Sequence, residues 1–186
     1  VSEAVTFFNA VGWIATATGV PFNVIEPHVE DVFIEDIAHA LAHQCRYGGH
    51  FGRFYSVAEH CVIVAQHAPR ELKLEALLHD ASEAYLLDIP RPIKKAMPEY
   101  RAIEDRLMTV IGKRFGINWP VHADVTALDN RILHDEVAQG MVQPPVPWGI
   151  PGEPLGTELK FWGPAAAEAR FLQAFQRYSL AARRNR

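Results

Sequence analysis

The stretch Leu77-Leu78-His79-Asp80-Ala81-Ser82-Glu83 places one imidazole and two carboxylates close together. Read as helix, it sets Glu83 four on from His79 and three on from Asp80, so that Glu83 lies over both. The two leucines start the group in a packed interior, with its polar end toward a cleft. Three ionisable groups are costly to bury together unless something binds them, and a divalent cation with a bound water is such a partner. His60, in an earlier helix, and Asp129, in a later one, are the further candidate ligands. Side chains from facing helices that converge on a metal are a known solution in a bundle core. Two imidazoles and two carboxylates make a mixed N/O site that suits Mn, Fe, Co, Ni or Zn better than Ca. With no thiolate and open positions, it would be catalytic rather than structural.

The elements that must position these residues are mostly helical. Ile34, Ile37, Ala38, Leu41 and Cys45 recur at helical spacing, which predicts a helix from Ile34 to Tyr47, stopped by Gly48-Gly49. The loop Arg46–Arg53 mixes cations, aromatics and glycines, as loops that approach a ligand do. Ser56-Val57-Ala58-Glu59 reads as a capping box opening a helix to His67. The next helix runs from Glu71 to about Leu86 and carries the His-Asp pair. Asp88 to Lys95 reads as a loop, because two prolines disfavour regular helix. Amphipathic helices follow over Tyr100–Phe115, closed by Gly116, and Val121–Met141. Prolines and glycines then dominate residues 143–163, a surface loop or wrap, and Gly163-Pro164 opens a last helix. Near the start, Val5, Phe7, Phe8, Val11 and Ile14 fit a short helix or extended chain, and Thr16–Val24 fits a small hairpin. The basic tail Arg183–Arg186 reads as frayed. The architecture expected is all-α, a single domain over 1–186, with a hairpin near the N-terminus.

Composition sets the bounds. The 186 residues are 49% hydrophobic and 22% charged, enough for one real core. A net charge of −4 argues against a general nucleic-acid partner. Cys45 and Cys61, far apart and without a CxxC, read as two reduced thiols. No basic leader and no apolar run of about 18 residues is present, so no membrane span and a cytoplasmic location are expected.

The order His60, then His79-Asp80, then Asp129 resembles the HD-domain metal-dependent phosphohydrolases. Within them, Ser56–His60 resembles the first-histidine helix of the bacterial 5′-deoxynucleotidase group. His79–Glu83, followed by Asp88-Ile89-Pro90 and Pro92-Ile93-Lys94, resembles that group's signature. Phage dATP triphosphohydrolases share much of the pattern, and the similarity covers roughly residues 34–140. Glu83-Ala84 stands where (p)ppGpp hydrolases have an acidic pair. Ser82-Glu83 stands where the cyclic-di-GMP branch has Gly-Lys, and the second histidine and Pro-Phe-Gly run of the dGTPase-like branch are absent.

The resemblance implies an HD-domain helical bundle that hydrolyses deoxynucleoside monophosphates through water activated on the metal. Release of tripolyphosphate from a dNTP is the alternative, and a non-catalytic nucleotide-sensing module is a reading of another class. His60, His79, Asp80 and Asp129 would hold a divalent ion (Mn, Co, Zn, Fe, Ni or Mg). Glu83 would orient or deprotonate the water, and Asp88 would touch the sugar or assist proton transfer. Lys94 and Arg46, with Arg53 the alternate, would bind phosphate, and Tyr47 would stack on base or sugar. The family also implies a homo-oligomer, most often a dimer.

Other residues compete for these roles. His134-Asp135 is a second His-Asp pair without the following glutamate, and a surface or structural role is expected of it. Asp124 competes with Asp129, which has the apolar register of Leu128 and Ile132 around it. His39 and His43 have a spacing that can clip a metal and are assigned to a partly solvated helix face.

Overall fold

The computed structural model describes residues 11–142 and 146–184, and these are mostly helical. The helix or extended chain expected over Val5–Phe8, and the end of the basic tail, lie outside the described residues. A hairpin is present but begins before the expected Thr16: β1 (Trp13–Ala15) pairs antiparallel with β2 (Pro21–Asn23), Ile14 opposite Phe22. Its turn is tied to the first helix by Thr18, whose N–H and hydroxyl donate to Asp36 at 2.7 and 2.9 Å.

That helix, α1 (Ile34–His43), ends four residues before the expected Tyr47. Gln44 and Cys45 are extended, Cys45 bridging to Ser56. The chain then turns tightly over Arg46–Gly49, with Tyr47 at φ 58° and Gly48 at φ 60°. A positive φ at Tyr47 is unusual for a residue with a bulky side chain, and its contacts in the site hold it there.

α2 (Val57–His67) is buried from Val57 through Ala65, as a helix apolar on every side must be. It packs on α1 and on three helices that come later in the chain. Half of the capping box forms: Ser56 Oγ accepts the Glu59 N–H at 3.1 Å. Glu59 does not return the bond. Its carboxylate instead accepts the N–H groups of Lys160, Phe161 and Trp162 at 2.7, 2.9 and 2.6 Å.

The helix expected over Glu71–Leu86 is broken. A 3₁₀ turn (Arg70–Leu72) leads into α3 (Lys73–Leu77), and α4 (Glu83–Leu86) starts only after a run of tight turns. In that run Ala81 N bonds Leu78 O at 3.1 Å and Glu83 N bonds Asp80 O at 3.0 Å. The loop expected over Asp88–Lys95 also departs from expectation, since it contains one helical turn, α5 (Arg91–Lys94). Pro90 is its N-cap and Pro92 sits in its first turn, where a missing N–H costs no bond.

α6 (Pro98–Phe115) closes on Gly116 as expected, at φ 73°. α7 (Ala123–Gly140) and α8 (Pro164–Arg184) follow, α8 lying along α1, α2 and α3. The described part of the Pro-rich segment is a strap pinned by side chains to its backbone. Asp135 accepts Leu155 N and Thr157 N at 2.8 and 3.0 Å, and Gln139 bonds Thr157 O and Leu159 N at 2.8 and 3.0 Å. Asp135 of the second His-Asp pair is thus a buried anchor for the strap. Cys45 and Cys61 are both free thiols. No helix among the described residues is long and apolar enough to cross a membrane.

Candidate metal centre

The break between α3 and α4 is what brings His79 and Asp80 to one point. In a regular helix adjacent residues do not face each other. In the tight turn His79 Nε2 and Asp80 Oδ2 stand 3.2 Å apart. His60, from the middle of α2, brings its Nε2 to 3.3 Å from His79 Nε2 and 3.7 Å from Asp80 Oδ2. Asp129, in the first half of α7, brings Oδ1 to 3.3 Å from His60 and 3.7 Å from His79. The sequence-predicted ligands therefore converge. Asp124, the competitor for Asp129, is exposed near the start of α7, on the ring of His122.

Hydrogen bonds at the far side of each ring fix the tautomers. His79 Nδ1 lies 2.8 Å from the Ala76 carbonyl, which can only accept, so Nδ1 carries the hydrogen. His60 Nδ1 lies 2.7 Å from Glu136 Oε1. Burial alone would push the Glu136 carboxyl up, but Arg46 and His60 outweigh it and hold it at about 2, so it too can only accept. With Nδ1 engaged elsewhere, each ring turns its Nε2 toward the other, with two carboxylates beside them. Burial lowers the proton affinity of His79, yet Asp80 overrides it and holds His79 well above its usual range. Asp129, against its own burial, is held well below the carboxylate range by the neighbouring His60 and His79 rings.

Acceptors gathered this way demand positive charge. Two donors about 2.1 Å from one first-row ion, at 90–110°, stand roughly 3.0–3.4 Å apart, close to the separations found. His60, His79 and Asp129 could hold a divalent metal, with Asp80 beside His79 and His60.

Glu136 is the residue that sequence reasoning missed. It is fully buried and also accepts Arg46 Nη2 at 3.2 Å, Tyr55 OH at 3.0 Å and the Tyr47 hydroxyl. One signal was available: it follows Asp129 by two helical turns, on the same face of α7. Glu136→Gln is expected to weaken metal binding by about 10–100-fold, the usual cost of losing the partner that orients a ligating imidazole. Chelator competition measures this, and an unchanged affinity would show that Glu136 does not set the orientation of His60.

A cavity of about 810 Å³ opens over the carboxylates, lined among others by Arg46, Tyr47, Glu83, Asp88, Lys94 and Trp148. Arg46 is buried, on Glu136 and 3.8 Å from Asp80. Tyr47 stacks on Phe51 at 5.4 Å and tilts against Trp148 at 6.1 Å, so its ring is part of the cavity wall. Lys94 Nζ donates to Glu83 at 3.2 Å and Glu104 at 2.7 Å. Arg53, the alternate to Arg46, does not line the cavity; it is exposed and stacks over Phe161 at 4.1 Å.

Glu83 and Asp88 are both raised by burial, Glu83 well above the usual range with help from Asp80 and Asp88. Glu83 Oε2 is buried and has no hydrogen-bond partner among the described residues. Gln44 positions this corner: its Nε2 donates to Glu83 O at 2.9 Å and its Oε1 accepts Asp88 N at 3.1 Å.

No family model matches the chain. Over 107 residues it is 41% identical to the uncharacterized protein YfdR of Escherichia coli (strain K12), covering 58% of this chain and 60% of that protein. Over 115 residues it is 37% identical to an uncharacterized protein of Rhodobacter capsulatus, covering 56% of this chain and 59% of that protein. The chain thus matches about three fifths of the length of each of these relatives.

Proposed function

We propose that this chain is an HD-domain, metal-dependent nucleotide phosphohydrolase whose preferred reaction is 5′-nucleotidase action on deoxynucleoside monophosphates. The observation that carries the reading is the convergence of His60, His79, Asp80 and Asp129 beneath a cavity rimmed by cations. A divalent ion held by those four would polarise a phosphoryl oxygen and lower the pKa of a bound water. Glu83 offers a buried carboxylate with one oxygen uncommitted and a raised proton affinity, suited to taking and holding a proton. Asp88, partly buried at the same wall, would touch the sugar or assist proton transfer.

The cations favour one phosphate over three. Arg46 is paired with Glu136, Lys94 with Glu83 and Glu104, and Arg91 with Asp129 at 3.0 Å. Of the four basic residues on the cavity, Lys95 alone forms no ion pair among the described residues. So little uncompensated positive charge suits a monophosphate better than a triphosphate.

The test is product analysis by chromatography. Metal-stripped protein is given Mn, Co, Zn or Mg in turn, against panels of dNMPs and dNTPs. Nucleoside and phosphate from monophosphates support the proposal. Tripolyphosphate from a dNTP would replace it with a triphosphohydrolase, and tight nucleotide binding without product would replace it with a sensing module. Glu83→Ala is expected to keep metal and nucleotide while turnover falls by about 10²–10⁴, the scale of general acid–base help. Undiminished turnover in that variant would remove Glu83 from the reaction.

A further inference from the structure

A second cluster of metal-binding side chains lies away from the cavity, where α1 meets α8. His39 and His43 are one helical turn apart at the C-terminal end of α1, and their ring centroids stand 4.1 Å apart. Glu168, in the first turns of α8, places Oε2 3.1 Å from His39 Nδ1. One ring nitrogen from each histidine and one carboxylate oxygen of Glu168 lie within 4.8 Å of one another. Sequence alone assigned the two histidines to a solvated face, because the third donor is more than a hundred residues away in the chain.

We propose that His39, His43 and Glu168 form a second divalent-cation site that staples α8 to α1. It would take a first-row ion that favours imidazole, zinc(II) foremost. One of the donors is already prepared. His43 Nδ1 lies 2.8 Å from the His39 carbonyl, an obligate acceptor, so His43 Nδ1 carries the hydrogen and Nε2 is bare. At His39 the nitrogen beside Glu168 Oε2 is Nδ1, at 3.1 Å, so His39 would bind through Nδ1 as its hydrogen moves to Nε2. The spacing is somewhat wider than that of a bound ion. His39 and Glu168 have side chains 46% and 30% exposed, so modest rotations close the gap and an ion reaches the site from solvent. Three protein donors leave room for a water, which makes the ion exchangeable. The two donor helices pack against each other, so an ion held by both favours the docked state over any state in which α8 lifts away.

The experiment uses zinc(II) on the full chain. Metal content after equilibrium dialysis is compared among wild type, His43→Ala and Glu168→Gln, with hydrogen exchange of the 164–172 amides followed with and without zinc. Each variant is expected to hold one zinc fewer than wild type while hydrolytic activity is unchanged, which separates this site from the one under the cavity. At zinc about tenfold above its dissociation constant, opening of α8 in wild type should slow by about tenfold, and not in either variant. Equal zinc content in all three proteins, or equal slowing of exchange, would overturn the proposal. A failure of the nucleotidase reading leaves this test unaffected, because its readouts are metal content and exchange.

Discussion

Asp80→Ala is expected to leave a protein with neither bound metal nor measurable nucleotide hydrolysis. Asp80 contributes at three points at once. Its Oδ2 stands 3.2 Å from His79, 3.7 Å from His60 and 3.8 Å from the Arg46 guanidinium. Removing it leaves two imidazole nitrogens with a single carboxylate, Asp129, which Arg91 already engages at 3.0 Å. The remaining donors hold a divalent ion poorly. A Lewis acid worth several kcal/mol of transition-state stabilisation is then lost, more than about a thousandfold in rate. Metal content after gel filtration and phosphate release by the same sample measure the two effects together. His134→Ala is the control. It alters the second His-Asp pair, whose aspartate anchors the strap, and should leave metal and rate close to wild type. Loss of metal in His134→Ala, or its retention in Asp80→Ala, would mean that the centre has been placed on the wrong pair.

Glu59→Ala is expected to be the most destabilising single substitution considered, at roughly 3–5 kcal/mol. Glu59 is fully buried and accepts three consecutive backbone N–H groups, those of Lys160, Phe161 and Trp162. Phe161 adopts φ 53°, and this turns the three N–H groups toward one anion. Hydrogen bonds to a charged acceptor contribute about 1.5–3 kcal/mol each, partly recovered when water reaches the freed N–H groups. A loss of that size is a large part of the roughly 5–15 kcal/mol of a whole domain. The strap that Glu59 anchors also carries Trp148 to the cavity wall, so nucleotide affinity should fall together with stability. Urea denaturation reads the first and limited proteolysis of residues 146–163 reads the release of the strap. Glu59→Gln keeps one acceptor oxygen but turns an amide toward N–H donors, and should fall between the two. A cost below about 1 kcal/mol for Glu59→Ala would show that the strap is held by its other contacts.

Much of the fold follows from local chemistry, and so was legible in the sequence. Ser56 caps α2, Gly116 closes α6, Gly163-Pro164 opens α8, and Thr16–Val24 encloses the turn of the small sheet. Each depends on what a residue does to its own backbone. The metal-binding candidates were legible because the order His60, His79-Asp80, Asp129 resembles that of a metal-dependent family, and such groups are expensive to bury without a partner.

The tertiary structure decided the rest. Nothing between Leu77 and Glu83 is a helix breaker, so propensity could not show the turns that let His79 and Asp80 face one point. The packing of Leu77 and Leu78 and the anchoring of His79 on Ala76 decide it. Glu59 looked like a capping glutamate because the sequence holds no sign of the strap that returns about a hundred residues later. Glu136 has no local mark of its four partners, which come from residues 46, 47, 55 and 60. A buried carboxylate is stable only where several donors arrive together, and in both cases those donors lie far off in the chain. The sequence by itself therefore determined which groups could do chemistry and which helices carry them. Which oxygen and nitrogen atoms meet, and which cations are already neutralised at the cavity, were decided only by the long-range packing that brings distant segments within hydrogen-bonding distance.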